Sequence, residues 1–569
     1  MAVAAHAGFI GGDTHDHIHP EPQGFIRKYV FSLDAKVIGI QYMVAAFLFF
    51  LISGLLAEVV RTQLLVPRGA ILSNDTYNGV YSLHGSSMVW MVIIPLMTGA
   101  FGNFVMPLQI GARDVAFPWL NLLSFWLFPV SAVILFSSFL IGAPDAGWTE
   151  YPPISVQGPA GTSLWCIAIF LIGISSTMTG LNFMVTIVKM RAPGMTFTRM
   201  PLFVWASLAT ALLNMVATAA LSAATAALFM ERQFNVPFYD PTRGGSPLLW
   251  QHMFWFYSHP AVYIMILPGF GIVSEVFPTF ARKPIFGYKM IAFSSIAIAL
   301  LGFMVWAHHM FTSGMAPWLA LPFMILTMVI AVPTGIKIFS WLATLWGGKI
   351  HFHPAMLFSL GFIATFTFGG ITGVFLSSVP FDYDAHGTYF IVAHIHYVLF
   401  GGSVFALYSG LYYWWPKITG RMMSNTLGVW HFWLTFLAFN VTFLPMHLLG
   451  LWGMPRRVAQ YQLHPEFQFW NDVASVGSYV LALSTLILIY NMVQSLLRGR
   501  RAPGNPWNAR TLEWMTTSPP PYYNFRTIPA VLKNPYNFGE PLPYIGLDEA
   551  ESAGSTHPPA GSSPLPAHA

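Results

Sequence analysis

The sequence predicts an all-α integral membrane protein with twelve transmembrane helices and both termini in the cytoplasm. Composition supports this fold class first, because 55% of the 569 residues are hydrophobic and only 8% are charged. A soluble globular protein carries about 25% charged residues. Apolar runs long enough to cross about 30 Å of hydrocarbon also recur along most of the chain. The distribution of basic residues then predicts the orientation.

The apolar runs justify the helices one by one, and the segments beside them define three regions. The runs cover approximately residues 37–60, 80–106, 119–142, 162–188, 201–230, 249–278, 286–313, 317–346, 355–378, 387–414, 427–449 and 470–496. Residues 1–25 form a polar, His-rich N-terminal tail without an apolar h-region, so we expect no cleavable signal peptide. Residues 26–500 hold the twelve helices. Residues 501–569 form a Pro-rich cytoplasmic tail in which we expect little packed structure.

Basic residues are unevenly distributed between the two sets of loops. An even number of spans puts both termini on one side of the membrane. The loops on that side hold most of the Lys and Arg residues, including Arg498, Arg500 and Arg501. Cytoplasmic loops carry such an excess, so both termini are expected in the cytoplasm.

Six histidines lie inside otherwise apolar stretches: His84, His259, His308, His309, His394 and His396. Ionisable side chains are costly in hydrocarbon and usually face a cofactor, a cavity or a proton route. Successive helical residues turn by about 100°, so His394 and His396 should point about 200° apart and could hold two cofactors on opposite sides. His308 and His309 diverge less and could share one ion. One buried histidine is more often a hydrogen-bonded core residue, but six favour metal ligands.

Five motifs, four of which together contain all six of these histidines, occur in a defined order along the chain. They are SLHGSSM, YSHPAVY, WAHHM, PTGIK and VAHIHY. In this order they resemble subunit I of the haem–copper oxygen reductases, and specifically of A-type cytochrome c oxidase. The resemblance runs from about residue 25 to about residue 535. It identifies the predicted twelve-helix region as a haem–copper oxidase catalytic domain.

The resemblance implies two A-type haems, one copper ion and a ligand role for each histidine. The ligands would be His84 and His396 for a low-spin haem, His394 for a high-spin haem, and His259, His308 and His309 for copper. A bis-imidazole haem has no vacancy and only passes electrons, whereas an open iron beside copper can bind and split dioxygen. Tyr263, one turn after His259, matches a tyrosine that is joined to that histidine and supplies an electron and a proton.

Other positions match residues that surround the haems in this family. They are Arg61 for the haem formyl group, Trp148 and Trp255 for the electron-entry face and the copper site, Asp382, Arg456 and Arg457 for the haem propionates, and His386 for a magnesium ion. Guanidinium groups suit propionates because they bind carboxylates bidentately. The aspartate expected beside His386 is Gly387, so the magnesium site departs from the usual pattern.

Two proton pathways are also implied by matched polar residues. The K pathway would use Lys337 in the PTGIK motif and Thr334 one turn earlier. Lys337 lies near mid-span, a poor position for snorkelling to an interface. The D pathway would use Asp114 at its mouth, Asn103 and Asn121 at a constriction, and Ser175, Ser176 and Asn182 above it. Taken singly, such polar residues could equally be helix–helix contacts.

The end of the D pathway departs from the common pattern. A glutamate is expected between the proline and the valine of the histidine motif, and Ala261 stands there instead. Tyr257 and Ser258 precede His259, which resembles the A-type subclass in which a tyrosine and a serine replace the acid. Tyr257 lies four residues before Ala261 and shares its helical face, so its hydroxyl could reach a similar volume.

The resemblance implies the catalytic subunit of a proton-pumping cytochrome c oxidase in the inner (plasma) membrane of a prokaryote. It would reduce dioxygen to water with electrons from cytochrome c, either soluble or fused to subunit II. Cys166 is the only cysteine, which excludes disulfides, iron–sulfur clusters and thiolate copper centres within this chain. The dinuclear copper centre is therefore expected on subunit II, with subunit III and membrane lipid as further partners and no nucleic acid.

Three alternative functions remain open at this point. Quinol oxidases place His and Gln eight and five residues before the second-span haem ligand, where this chain has Thr76 and Gly79. Nitric oxide reductases lack the equivalents of Tyr263 and Lys337. A non-catalytic haem carrier or a transporter with a histidine proton relay is a further class. A transporter is expected to contain two repeated halves, and none is visible in the sequence.

Overall fold

The computed structural model describes residues 21–69 and 71–546, and twelve apolar helices dominate this part of the chain. Eleven of them are long and apolar enough to cross a membrane. These are α1 (Ala35–Gln63), α2 (Asn74–Ile110), α3 (Pro118–Ile141), α4 (Gly161–Lys189), α5 (Leu202–Phe234), α6 (Pro247–Ala281), α8 (Pro317–Leu345), α9 (Pro354–Ser377), α10 (Tyr389–Thr419), α11 (Asn425–Leu451) and α12 (Pro465–Arg498). The all-α membrane class predicted from composition is thus confirmed.

The twelfth apolar helix, α7 (Tyr288–Gly302), is shorter than the span predicted there. Its fifteen residues measure about 22 Å, less than the hydrocarbon thickness of about 30 Å. After Gly302 the backbone bonds shorten to i→i+3, and a 3₁₀ turn (Trp306–Met310) follows. The adjacent pair His308 and His309 lies on this turn. The expectation of one helix continuing to residue 313 is therefore wrong.

Helices α2 and α6 form the centre of the bundle. In their most apolar windows 94% and 89% of the residues are buried, against 22% in α1 and 11% in α8. The outer helices present large apolar side chains such as Trp318, Val332 and Phe339 on the surface. Apolar surface on this scale marks contact with a membrane. The chain is therefore a multi-pass membrane protein whose central helices are enclosed by the others.

The helices that carry histidines contain irregular turns and close contacts. In α2 the backbone is π-helical over Met88–Ile93 and Pro95–Gly102, and in α10 over Leu399–Val404. Such π-helical turns often occur at functional sites. Helix α11 approaches α10 so closely that a Cβ on Gly450 would lie 2.0 Å from the Phe390 nitrogen. The absence of a side chain at Gly450 thus determines where α10 begins.

The described part of the C-terminal tail is packed, contrary to the expectation from its composition. Glu513 and Trp514 are buried, and the Trp514 indole donates to the Tyr413 hydroxyl at 3.1 Å. Farther along, Tyr536 donates to Glu275 of α6 at 2.6 Å, between strands β1 (Ala530–Val531) and β2 (Tyr544–Ile545). The two strands pair antiparallel. Aromatic side chains bury enough area to hold this Pro-rich segment. Residues 1–20 and 547–569 of the predicted tails lie outside the described residues.

Candidate functional site

A cavity of about 1210 Å³ runs through the bundle, and all six histidines from the apolar stretches line it. A pocket for a single small ligand usually measures about 300–1,000 Å³. Its apolar wall also contains three glycines that face open space, where an added Cβ would meet no atom within 4 Å: Gly54, Gly335 and Gly370. The size and the flat open wall fit two large planar groups better than one small ligand.

His84 of α2 and His396 of α10 face each other across one part of the cavity. Their ring centres are 6.5 Å apart and the ring planes differ by 7°. A metal between two imidazoles, with metal–nitrogen bonds of roughly 2 Å, requires ring centres roughly 6 Å apart. Nδ1 of His84 donates to the Ser53 carbonyl at 2.9 Å, and Nδ1 of His396 to the Val392 carbonyl at 2.7 Å. Nε2 of each ring is therefore the ligand atom, and the pair fits a six-coordinate haem.

His394 lies on the other side of α10. Its Nδ1 is 3.0 Å from the Thr372 hydroxyl and 3.1 Å from the Gly369 carbonyl, both on α9. Such contacts orient a metal-binding imidazole and leave Nε2 for the metal. A Cβ on Gly373 would lie 2.9 Å from His394 Cε1, so the ring needs this glycine beside it. The prediction that His394 and His396 point in opposite directions is confirmed.

His259, His308 and His309 form the one group of three potential metal ligands among residues 21–69 and 71–546. Their ligand atoms all lie within 4.8 Å of one another. Nδ1 of His259 is 3.2 Å from Nε2 of His309, and Nε2 of His259 is buried without a protein partner. Metal–nitrogen bonds of roughly 2 Å place neighbouring nitrogens roughly 3–4 Å apart, so the cluster fits one copper ion. Nδ1 of His308 contacts the Thr327 hydroxyl at 3.1 Å.

Aromatic side chains fix the positions of this three-histidine cluster. The Trp255 ring stacks on His309 with centres 3.7 Å apart, and its indole donates to the Tyr151 hydroxyl. The Tyr263 ring lies against His259 with centres 4.7 Å apart. Trp148 meets Trp255 edge-on at 5.7 Å. Trp148, Trp255 and Tyr263 therefore lie together beside the three-histidine cluster, and Tyr263 is in contact with His259.

Arg61 of α1 lines the same cavity beside the His84–His396 pair. One terminal nitrogen donates to the Asn471 backbone and side chain and to Ser475 at 2.8–3.0 Å. Its Nε and its other terminal nitrogen are buried and have no protein partner. Unpaired buried donors are costly in a folded protein. They fit a polar acceptor on a bound group, such as the formyl oxygen of an A-type haem.

Arg456 and Arg457, in the segment after α11, line the cavity together with Asp382, which lies between α9 and α10. Arg457 donates to the Ala146 carbonyl at 3.2 Å and to the Thr149 hydroxyl at 3.1 Å. Burial and the adjacent Arg457 charge lower the pKa of Arg456 to about 10. Two neighbouring half-buried cations fit anionic groups in the cavity, as haem propionates would be. Asp382 lies near Arg456.

His386 makes a short contact with Asp382, at 3.1 Å between Nδ1 and a carboxylate oxygen. The next residue, Gly387, has φ +74°, a conformation that glycine adopts without strain, and its carbonyl accepts from the Arg456 nitrogen at 2.9 Å. The backbone therefore explains why glycine stands where an aspartate was expected. Within the described chain, no third acidic or imidazole group joins His386 and Asp382 in a metal-sized cluster.

Lys337 lies buried in α8 at the predicted position within the membrane. Its ammonium nitrogen donates to the Ile291 carbonyl at 2.8 Å and to the Ser295 hydroxyl at 2.7 Å, both on α7. Thr334, one turn earlier, lines the cavity and bonds to its own helix. Lys337 thus binds a neighbouring helix instead of reaching an interface, and Thr334 lies between it and the cavity.

The residues predicted for a second polar path lie along α2, α3 and α4. Asp114 accepts from the Ala35 and Val115 nitrogens at 3.2 and 2.7 Å, and burial raises its pKa to about 7. Both side-chain atoms of Asn121 and the oxygen of Asn103 are buried without a protein partner. The remaining residues are Asn182, bonded to the Phe117 backbone; Ser175, bonded to the Ser124 carbonyl; and the half-buried Ser176. Unpaired buried amides are sites where ordered water binds.

Tyr257 and Ser258 are both buried, one turn before the position of the missing glutamate. The Ser258 hydroxyl has no protein partner. Tyr257 lies beside Trp90 of α2 and, unlike Tyr263, does not line the large cavity. The Tyr257 side chain therefore lies on the side of α6 that faces α2.

Sequence reasoning missed the hydroxyl groups that orient the histidines. Thr327 and Thr372 lie on α8 and α9, and each contacts a histidine that is distant in sequence. Threonine is common in apolar helices, so a threonine in the sequence does not by itself indicate a contact with a histidine. Only the distances between helices identify these two residues.

Comparison with known proteins assigns the chain to a family. Residues 37–480 match the family described as cytochrome c and quinol oxidase polypeptide I. The chain belongs to this family. It is therefore an oxidase polypeptide, an oxidoreductase embedded in the membrane, and the family agrees with the order of motifs and with the three-histidine cluster.

Individual relatives extend the similarity over most of the chain. Cytochrome c oxidase subunit 1 of Thermostichus vulcanus is 51% identical over 522 residues, which cover 92% of this chain and 94% of the relative. The same subunit of Synechocystis is 53% identical over 90% of this chain and 92% of the relative, and that of Bacillus sp. PS3 is 48% identical over 88% and 82%. A solved haem–copper terminal oxidase dimer shares the fold, with a TM-score of 0.71, 18% identity and coverage of 82% of this chain and 85% of that one.

Proposed function

We propose that this chain is the catalytic subunit of an A-type cytochrome c oxidase, which reduces dioxygen to water and pumps protons across the membrane. The observation that carries the proposal is the three-histidine cluster, which lines the same cavity as His394. On the other side of α10, His396 faces His84. One helix therefore separates a site with two axial imidazoles from a site with one axial imidazole and a copper cluster. Only the second arrangement leaves room for dioxygen.

The proposed cofactors are two A-type haems and one copper ion, which would supply electron transfer and dioxygen binding. In this proposal the histidines hold the metals as predicted, Arg61 donates to the haem formyl group, and Arg456 and Arg457 hold the propionates. Trp148 and Trp255 lie on the electron-entry side of the copper cluster. Tyr263 gives a proton and an electron at its hydroxyl, consistent with its ring contact on His259.

Protons for the reaction would reach the cavity by two routes. Lys337 and Thr334 form the K pathway, because Thr334 lines the cavity and the buried Lys337 ammonium lies one turn away. The polar path that begins at Asp114 forms the D pathway. The unpaired amide atoms of Asn103 and Asn121 support this route, since they can bind the water that carries a proton.

Tyr257 and Ser258 would complete the D pathway in place of a glutamate, as in the Tyr-Ser subclass. A phenol has an unperturbed pKa of about 10, so it acts as a neutral relay that accepts one proton while it passes another onward. The unpaired Ser258 hydroxyl supports this role, because it is free to bond to water or to a neighbouring hydroxyl.

Cytochrome c fits better than quinol as the electron donor. Quinol-oxidising relatives are expected to have glutamine at position 79, but a Cβ on Gly79 would lie 2.7 Å from the Ala143 Cβ. A larger side chain would therefore need the loop after α3 to move. With Cys166 as its only cysteine, the chain would receive electrons from a subunit II that carries the dinuclear copper centre, and would assemble with subunit III. A magnesium ion at His386 would take further ligands from another subunit.

We place the protein in the inner (plasma) membrane of a prokaryote, with twelve spans and both termini in the cytoplasm. The catalytic domain is residues 26–500, between the N-terminal tail 1–25 and the C-terminal tail 501–569. A membrane topology assay with reporter fusions at the two termini tests the orientation. Reporters that are active only outside the cytoplasm would contradict it.

Visible spectra of the purified complex test the proposed function. Dithionite reduction should reveal two haems, and carbon monoxide should shift the bands of one haem only. The low-spin haem has no vacancy and should not respond. A spectrum without any carbon monoxide response would contradict dioxygen chemistry and favour an electron or haem carrier.

A further inference from the structure

Glu150 is a buried acid that the proposed mechanism does not use. It lies between α3 and α4 and is 0% exposed. Its φ of +41° falls in the left-handed region, which is strained for a residue with a side chain. Its neighbours Trp148, Thr149 and Tyr151 line the large cavity, whereas Glu150 does not. Glu150 therefore lies directly behind the cavity wall, in a conformation that the surrounding structure must hold in place.

The carboxylate of Glu150 makes no close hydrogen bond within the described chain, although the Ala146 backbone lies near enough to act on it. Both of its oxygens are buried and unpaired. Two arginines act on it, yet their guanidinium groups bond elsewhere. Arg457 donates to Ala146 and Thr149, and Arg232 donates to the carbonyls of Ser155, Val156, Gly158 and Pro159 and to the Ser163 hydroxyl. A buried carboxylate without a partner strongly disfavours its charged form, so the neutral acid is favoured.

The titration of Glu150 falls near neutral pH as a result. Burial raises its pKa to about 8, and the negative charge of Asp145 acts in the same direction, while Arg457 and Arg232 lower it. The other titratable groups that interact with Glu150 are Tyr81 of α2 and Cys166 of α4. The charge of Glu150 is therefore sensitive to changes in charge on the cavity side.

Polar groups without partners also lie in the loop that holds Glu150 and at the start of α4. Asp145 is half-buried, and its Oδ1 has no protein partner. The hydroxyls of Ser155 and Thr162 are fully buried and also unpaired. A Cβ built on Gly158 would lie 3.1 Å from Asp145 Oδ1 and 3.5 Å from Thr162 Oγ1, so these oxygens lie on one small volume. Such a volume suits ordered water that exchanges with solvent.

We propose that Glu150 is a proton-binding site whose occupancy follows the redox state of the haems through Arg457. The inference rests on the proposed haem site, since Arg457 lines that cavity and bonds to Thr149, the residue before Glu150. An electron added to a haem makes the cavity side more negative, which favours binding of a proton from water to the Glu150 carboxylate. Reoxidation reverses this, and the O–H bond breaks to release the proton past Asp145.

Proton uptake by the purified complex tests the proposal. Glu150→Gln keeps the volume of the side chain and removes its titration. The matched control is Glu466→Gln, an exposed glutamate at the start of α12, at the same end of the bundle as Arg457. A pH-indicator dye in weakly buffered solution measures protons bound on full reduction. Near pH 8 the Glu150 carboxyl is about half protonated before reduction, so on reduction Glu150→Gln should bind up to about half a proton per molecule fewer than the unmodified protein. Glu466→Gln should bind the same number of protons as the unmodified protein.

Haem spectra and copper content of each variant are measured first, so that loss of a cofactor is separated from loss of the proton. Equal proton uptake by Glu150→Gln and the unmodified complex, with both haems present, would overturn the proposal. A second measurement needs no variant. In the unmodified complex the low-spin haem midpoint potential should change its pH slope at or above about pH 8. A low-spin haem midpoint potential that does not depend on pH in this range would also overturn the proposal for Glu150. Absence of both haems would instead contradict the proposed function.

Discussion

Replacement of His309 by Ala is the sharpest test of the three-histidine cluster. His309 supplies one of three imidazoles whose ligand atoms lie within 4.8 Å of one another. The variant would leave His259 and His308, whose ring centres are 4.5 Å apart. Two ligands cannot hold copper as three do. The same change leaves the low-spin pair His84 and His396 intact, because both lie on other helices.

The expected losses of copper affinity and of thermal stability follow from the contacts that His309→Ala removes. Changes in residues that only support a metal ligand cost about 10–100-fold in affinity, so loss of a ligand should cost more than about 100-fold. This corresponds to about 3 kcal/mol or more in binding free energy. The stack on Trp255, with ring centres 3.7 Å apart, is lost as well. An aromatic pair contributes about 0.5–1.5 kcal/mol beyond its buried area, so a modest loss of thermal stability should accompany the loss of copper.

Elemental analysis of the purified complex gives the copper-to-iron ratio, and visible spectra give the haem content. His431→Ala is the matched control, because His431 also packs against aromatic rings, with its ring centre 4.9 Å from that of Phe358, but is fully buried and does not line the cavity. The control should lose stability and keep its copper. An unchanged copper-to-iron ratio with normal oxygen reduction in His309→Ala would refute the assignment of this residue as a ligand.

Four further predictions use spectroscopy, pumping and stability. His394→Ala should perturb the haem that responds to carbon monoxide and His396→Ala should remove the low-spin haem; the opposite spectra would mean that their roles are exchanged. Tyr257→Phe should lower turnover and proton release while haems and copper stay bound, and unchanged pumping would exclude the hydroxyl. Lys337→Met should slow proton delivery, seen as slower haem reduction, and full activity would argue against the K pathway. Burial raises the pKa of Asp114 to about 7 from an ordinary value near 4, so the folded state binds a proton that the unfolded state releases, and thermal stability should fall as pH rises from about 4 to 7. This contribution should vanish in Asp114→Asn. The same dependence of stability on pH in the variant and in the unmodified protein would contradict the prediction.

The candidate metal ligands could be predicted from the sequence because placing an ionisable histidine in hydrocarbon costs free energy. A histidine in an apolar run needs a functional reason, so His84 and the other five stand out without any structure. The angular argument for His394 and His396 needed only the helical repeat, and the structure confirms their opposite directions. The long apolar runs likewise predict most of the spans, because the thickness of the membrane sets the length of each helix.

Only the tertiary structure revealed the features that depend on contacts between residues distant in sequence. The end of α7 at Gly302 and the 3₁₀ turn that carries His308 depend on packing between helices, and an apolar run does not reveal where it stops being helical. Trp514 is buried because a distant tyrosine lies beside it, although its tail has the composition of a disordered segment. Glu150 looks like an ordinary loop acid in the sequence. Only the packed segment between α3 and α4 shows that its carboxylate is buried without a close hydrogen bond, because burial and pairing are properties of the neighbours that folding brings together.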